Sequence, residues 1–417
     1  MHGARVVSRA RPLYWARMRV AGILAAALAL RLLTLVAVEY SFGGDAIGYR
    51  AIAESLLDHQ LYSLDGSTPT ALRAPGFPFF AAAVWSVSAR TLLPVQLAHI
   101  ALQLVSLVVL ALAVRRRFAV TLEWPLALLL LNPLDVFFPG AFLSETVTSA
   151  GLAFGAAALL ERRFVLAGVA LGLASLGRDV FLLLPLALVA ATFVRPTALL
   201  PRRGALVVAA VAFITVAPWT LRNALSLKTF IPISKGLAGY NLWAGTWERD
   251  TTWLAGGEQH IPDYAYVSEE EKAEVLARRA SPRPDDDQWF MQRALDHWKR
   301  EPLTMITTAV ARLPRLWGGT RTEVFTLNDA LLPRSSPQWY AFKVTLAALN
   351  GCLAIAGFVA GIIAWKRRHD AAVLFWFVLY TTAVYFPFNS AQTRFSQPVV
   401  PMLAMLALLT RQIRNKT

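Results

Sequence analysis

Several things are scarce in this chain of 417 residues. There is one cysteine, Cys352, and it lies in an apolar run. One cysteine builds no intramolecular disulfide framework, and Cys–His zinc spacing is absent. Charge is scarce too: 16% of residues are charged, against 56% hydrophobic. That balance excludes a soluble domain of this length and leaves a membrane protein. Acidic residues are the scarcer sign, with 26 Asp and Glu against 41 Lys and Arg, a net charge of +15. The six histidines show no ligand spacing. No internal repeat is visible, which excludes a solenoid.

The basic excess is gathered in short clusters between apolar runs: Arg5 to Arg19, Arg115–Arg117, Arg162–Arg163, Arg195 to Arg203, Lys366–Arg368 and Arg411 to Lys416. Such clusters mark the cytoplasmic ends of spans. The basicity therefore reads as topology and not as a nucleic-acid footprint. The apolar run at 20–38 exceeds the 7–15 residues of a cleavable signal core, so it reads as a retained anchor with its N-terminus inside.

Hydropathy and charge parity predict an all-α polytopic membrane protein with about ten crossings and both termini inside. Span one covers about 18–40, and a first external loop follows at 41–75. Residues 76–91 read as partly re-entrant, with a short full crossing as the alternative. Further spans are expected at 92–114, 118–139, 142–160, 164–177, 180–194, 204–219, 338–365, 371–388 and 396–411. The chain divides into an N-terminal transmembrane module (1–221), an external segment with interfacial helices (222–320) and C-terminal helices (321–417). The stretch 222–300 carries 11 basic and 12 acidic residues, without the cytoplasmic bias. Within it 268–280 predicts a helix with Ser268 and Glu271 as a capping box. The run Asp285–Asp287 reads as a solvated cap of a helix at 288–299 before it reads as a metal site. Residues 302–317 predict a helix at the membrane edge.

This topology places one set of polar residues at the outer face: Asp45, Tyr49, Arg50, Arg73, Asp135, Glu145, Arg178, Asp179, Arg222, Asn223, Lys235, Asn241, Asn389, Gln392 and Arg394. Ionisable groups at a membrane edge are costly and are functional candidates by default. Asp45 and Glu145 can supply general-base or metal-ligand chemistry. The arginines can grip an anionic head group, because guanidinium pairs bidentately with phosphate. Apolar spans below can hold a lipid tail. Structural readings stand beside these. Asp45 can cap a helix at 46–58. Glu145 can be the first turn of a span capped by Ser144. Arg178 and Asp179 can neutralise each other. Arg222 and Arg394 can be snorkelling anchors. His99 reads as a hydrogen-bonded interior residue.

The order of segments resembles glycosyltransferase superfamily C, especially bacterial relatives of the protein O-mannosyltransferases and of the lipid A aminoarabinose transferase. The resemblance rests on D-x-x-x-Y at 45–49, RAPGFPFF (73–80), NPLDVFFPGAFLSE (132–145), SLGRDVFLLLP (175–185), APWTLRN (217–223), FIPISKGLAGYNLWAGT (230–246) and SAQTRFSQPVVPML (390–403). It implies a GT-C-type fold and an inverting transfer from a polyprenyl-phosphate sugar on the outer face of the cytoplasmic membrane. The acceptor would be an envelope glycolipid, glycan or protein. Asp45 matches the base of the first external loop. Glu145 matches the acid of the second. Arg394 matches the basic residue of the last external turn and is assigned to the donor phosphate, with Arg73, Arg178 and Arg222 as further candidates. Tyr49, Lys235 and Asn241 are expected at the substrate. Some relatives carry an acidic pair in the first loop, whereas this chain has Gly43-Gly44-Asp45. A divalent cation, Mg or Mn, is therefore left open. Rival readings are a lipid-linked glycan ligase, a lipid or glycolipid flippase, and a non-catalytic assembly factor.

Overall fold

A computed structural model describes residues 4–40, 44–247, 268–280, 285–319, 326–327, 331–333, 336–388 and 393–415. These residues are overwhelmingly helical. Four helices are long and apolar enough to cross a membrane: the Arg17–Ala37 part of α1 (Ala4–Ala37), α4 (Leu92–Phe118), α10 (Arg202–Leu227) and α15 (Pro337–Lys366). Their flanks leave Leu33, Val36, Ile214 and Ile355 exposed, as helices facing lipid would. The chain is thus an all-α protein with membrane-spanning helices.

Shorter apolar helices fill the spaces between them. These are α3 (Gly76–Trp85), α7 (Glu145–Leu160), α8 (Phe164–Gly177), α9 (Leu184–Val194), α16 (Ala372–Tyr385) and α17 (Val400–Leu408), closed by α18 (Thr410–Asn415). With ten residues, α3 is about 15 Å long. That is half of a hydrocarbon core.

Two sequence expectations change. The span expected at 118–139 is not one helix: it is α5 (Glu123–Leu130), α6 (Pro133–Val136) and a 3-10 turn at Phe138–Gly140. Pro133 and Pro139 explain the break, since each lacks an N–H and restricts the residue before it. In contrast, α10 passes through Pro218 and runs on to Leu227. The boundary expected at 221–222 therefore falls inside a helix.

Packing runs α4 to α7 to α8 to α10, with α17 and α16 closing the other side. Leu110, Leu129, Leu152, Ala156, Leu171, Leu188, Phe377 and Met405 belong to one buried core. Small residues let the backbones approach. A Cβ added to Gly76 would lie 2.8 Å from the Gly177 nitrogen and 2.9 Å from the Leu176 oxygen. The start of α3 thus presses directly on the end of α8.

The polar segment builds a separate small core. It contains α11 (Ala238–Trp247), α12 (Glu269–Ala280), α13 (Asp286–Arg300) and α14 (Pro302–Gly318). Trp243, Val275, Phe290 and Ala294 are buried there together. The expected helices at 268–280, 288–299 and 302–317 all form. Ser268 Oγ accepts from the Glu271 N–H at 3.2 Å, which is half of the capping box. Glu271 turns away from the other half and accepts from Trp243 Nε1 at 2.6 Å. Asp287 caps a different helix than expected, accepting from Gly239 N at 2.8 Å and Tyr240 N at 3.3 Å at the start of α11.

Candidate functional site

Five charged side chains meet at the end of the helices that carries the first loop. Each is delivered by a chain segment that ends or begins a helix. Asp45 is the first residue of α2 (Asp45–Asp58), and Glu145 is the first of α7. Both carboxylates therefore sit where the helix dipole favours negative charge. Arg73 lies just before α3, Arg178 just after α8, and Arg394 in the 3-10 segment Thr393–Val399 ahead of α17.

Asp45 is held from two sides. Its Oδ1 lies 2.9 Å from Arg73 Nη2, and its Oδ2 accepts from Arg394 Nη2 at 2.7 Å. Glu145 Oε1 accepts from Arg178 Nη1 at 2.7 Å and lies 3.7 Å from Arg394 Nε. Arg394 therefore bridges the two carboxylates. The capping reading of Asp45 does not hold, because Gly44 takes the cap position of α2 and the Asp45 carboxylate is held by Arg73 and Arg394. Nor do Arg178 and Asp179 neutralise each other. Arg178 turns to Glu145, and Asp179 accepts from the Ser234 hydroxyl.

The two carboxylates differ in access. The Glu145 side chain is 2% exposed, whereas that of Asp45 is 31% exposed. Burial pushes the Asp45 carboxyl upward, but Arg394 and then Arg73 outweigh it and hold the group below its ordinary 3.8. Tyr49 stands beneath, one helical turn after Asp45. Its ring lies 5.4 Å from the Arg73 guanidinium carbon, and its hydroxyl is 3.4 Å from Ser144 Oγ. Burial, followed by the Glu145 charge, pushes the Tyr49 phenol upward, so it stays protonated at neutral pH. Phe77 and Phe142 pack against this floor.

Beside the cluster opens a 560 Å³ cavity. Arg178, Ser234, Lys235 and Asn241 supply its polar edge, and Leu182, Leu183, Ile233, Leu237, Val384 and Phe388 supply apolar wall. Lys235 and Asn241 thus lie in this chamber, joined to the charge cluster through Arg178. Arg222 does not reach the cluster. It donates to the carbonyls of Thr70 at 2.8 Å and Tyr62 at 3.2 Å, and its guanidinium lies over Trp219 at 4.8 Å. It fastens α10 to the first loop, and this geometry offers no phosphate contact. Asn223, beside it, donates to Ile231 O and Ile233 O, both at 3.0 Å.

Other members of the expected outer set also go elsewhere. Arg50 pairs with Glu54 at 2.8 Å on its own helix. Asp135 is buried in the bundle, where Gln397 Nε2 donates to it at 3.0 Å. Asn389 and Gln392 lie outside the described residues. His99 is an interior residue, with Nδ1 3.3 Å from Pro139 O and its ring stacked on Phe80.

Sequence reasoning passed over Tyr385 and Phe395. The two rings stack at 4.9 Å, and Phe395 underlies the Arg178 guanidinium at 5.0 Å, which sets Tyr385 beside Arg178. Phe395 could have been found as the neighbour of Arg394. Tyr385 carries no signal beyond its place near the end of an apolar run.

Among the described residues, no group of three His, Cys, Asp or Glu comes together as a metal site. Asp45 and Glu145 both face guanidiniums, so the donor set does not fit a resident Mg or Mn ion. Positive charge here comes from arginine. No family model, no curated protein and no solved structure matches the chain.

Proposed function

We propose that the protein is an inverting glycosyltransferase that moves a sugar from a polyprenyl-phosphate donor to an acceptor hydroxyl, with Asp45 as general base. The observation that carries this reading is the bridged cluster of Asp45, Glu145, Arg73, Arg178 and Arg394 beside an amphiphilic cavity. Two carboxylates against three guanidiniums leave one positive charge. A polyprenyl-phosphate sugar is a phosphodiester with one negative charge, so the site and the donor headgroup match. The apolar walls suit the first isoprenoid units, and Lys235 and Asn241 stand where sugar or phosphate oxygens would need partners.

Exposure separates the two acids. Asp45 is reachable by an acceptor, whereas buried Glu145 serves to hold Arg178 and Arg394 in place. In the reaction, the acceptor oxygen attacks the anomeric carbon as its proton passes to Asp45. The bond from that carbon to the phosphate oxygen breaks, and polyprenyl phosphate leaves with the bond pair. Single displacement inverts the centre. Proton removal by a placed base is worth roughly 10²–10⁴-fold. Arginines aimed at the departing phosphate stabilise charge as it develops.

Without donor, Arg394 and Arg73 make Asp45 a weak base. A donor phosphate competes for the same guanidiniums. Its arrival draws them off Asp45 and raises the basicity of the carboxylate only when a sugar is present to be attacked. Arg394 thus links donor binding to base strength.

Ten crossings follow if the broken segment 123–140 and the short helices at 145–160, 164–177, 179–194, 372–385 and 394–408 span along with the four long ones. The charge pattern then puts this site on the outer face of the cytoplasmic membrane, with both termini inside. Polar groups collected at one end of the bundle favour surface transfer over a flippase, which needs a path through the midplane. The test is turnover of purified protein in liposomes against a panel of polyprenyl-phosphate sugars, with an envelope extract as acceptor. The proposal expects one donor to release polyprenyl phosphate and to yield a product of inverted anomeric configuration. Retention of configuration, or release from none of the donors by folded protein, overturns it.

A further inference from the structure

A second polar site lies at the opposite end of the same helices. Glu145 begins α7 in the charge cluster, and Leu160 ends this sixteen-residue helix about 22 Å away. Beyond that end is a 360 Å³ pocket lined by Ala113, Leu160 and five charged residues, Arg116, Arg117, Glu161, Arg162 and Arg163. The C-terminal turn of α4 forms one wall, and the turn between α7 and α8 forms the other.

Acid partners are too few for these arginines. Glu161 is shared, lying close to Arg116 Nη1 at 2.5 Å and to Arg163 Nε at 3.2 Å. Arg117 pairs with Asp370. Arg162 holds no ion pair among the described residues, and Arg115 stands beside the pocket unpaired in the same sense. Four lining guanidiniums therefore face two carboxylates, one shared within the pocket and one at its rim. The Arg116 and Arg163 side chains are each 62% exposed, so they can turn toward a ligand. Val165 and Leu166 follow immediately at the start of α8 and are exposed and apolar. A polar, cationic pocket with an apolar, outward-facing flank is shaped for a molecule with a phosphate at one end and acyl chains at the other. Basic pockets between transmembrane helices on the cytoplasmic side bind anionic headgroups in this way.

We infer that this pocket binds the phosphate headgroup of an anionic membrane phospholipid, at the membrane face opposite the Asp45 cluster. The inference does not depend on the transferase reading, because it uses none of that cluster's residues. The phosphate is held by Arg116, Arg162 and Arg163, and the acyl chains run along Val165 and Leu166. Glu161 competes with the phosphate for Arg116 and Arg163.

This competition supplies a test with two signs. The full chain is placed in nanodiscs of phosphatidylcholine with increasing phosphatidylglycerol, and in phosphatidylcholine alone with inorganic phosphate added. The readouts are thermal stability and lipid retained in native mass spectrometry. Arg162→Asn removes one cation; asparagine accepts the left-handed backbone of this position, φ +59°. It is expected to weaken phosphatidylglycerol retention about fivefold. Glu161→Gln frees Arg116 and Arg163 and is expected to strengthen retention. A purely structural role for Glu161 would lower basal stability without strengthening retention. Equal retention of phosphatidylglycerol by wild type and both variants overturns the inference. So does stabilisation by inorganic phosphate as large as that by phosphatidylglycerol, since the pocket would then bind free anion. Should Glu161→Gln fail to fold, Arg162→Asn alone decides.

Discussion

Asp45 and Arg394 are 349 residues apart in the chain and joined by a 2.7 Å hydrogen bond. The first loop and the last are thereby closed into one site. Arg394 also lies 3.7 Å from buried Glu145, so the same guanidinium serves a half-buried and a fully buried carboxylate. Its removal should act on both. Arg394→Ala is expected to weaken the apparent donor affinity at least tenfold. A double-mutant cycle with Asp45→Asn should give a coupling of about 0.5–3 kcal/mol in stability. Additive effects would show that the contact carries no energy.

Glu145 and Asp45 should respond differently to loss of charge. Glu145→Gln leaves Arg178 and Arg394 short of a buried partner, and breaking such a pair costs about 3–5 kcal/mol. A marked fall in thermal stability in detergent is the expected result. Asp45→Asn sits at a more exposed position and should cost far less. A stable Glu145→Gln protein with normal donor affinity would contradict the holding role given to that side chain.

The Asp45 pair also sets a pH dependence. Its carboxyl is lowered in the folded protein from the ordinary 3.8, so the unfolded chain takes up the proton first as pH falls. The pairing contributes its full stability above about pH 4 and loses it as pH drops through the lower, folded value. Wild type should therefore lose more stability than Asp45→Asn as pH falls below about 4. Parallel acid-unfolding curves for the two proteins would count against the pair.

Gly76 is a structural test of how the site is assembled. A methyl group there would press on the Gly177 and Leu176 backbone. Overpacking of this kind costs about 1–3 kcal/mol. Because Arg73 and Arg178 flank the contact, Gly76→Ala should lower both stability and donor affinity. Loss of stability with unchanged affinity would separate the contact from the site.

Much of this arrangement was legible in the sequence, and the parts that were not share a cause. The long helices, α8 and the helices α12 to α14 of the polar segment followed from apolar runs and caps. Asp45, Arg73, Glu145, Arg178 and Arg394 could be collected on one face because charge parity orders loops by side. Their pairing could not be read. Nothing local says that Arg178 turns to Glu145 while Asp179 turns to Ser234. Arg222 belongs to the same expected set, yet its hydrogen bonds go to the loop carbonyls of Thr70 and Tyr62. Asp135 followed the same logic into the bundle, because the proline-broken helix around it carries it inward. Tyr385 was invisible because an aromatic residue in an apolar run looks like core until its neighbour is known to be an arginine.

In the proposed reaction Asp45 removes the acceptor proton. The most direct measurement is release of polyprenyl phosphate by wild type and by Asp45→Asn in the same liposomes, with thermal unfolding showing that the variant is folded. The account predicts that donor binding persists and release falls by a factor of at least about 10². Normal release by folded Asp45→Asn would contradict it.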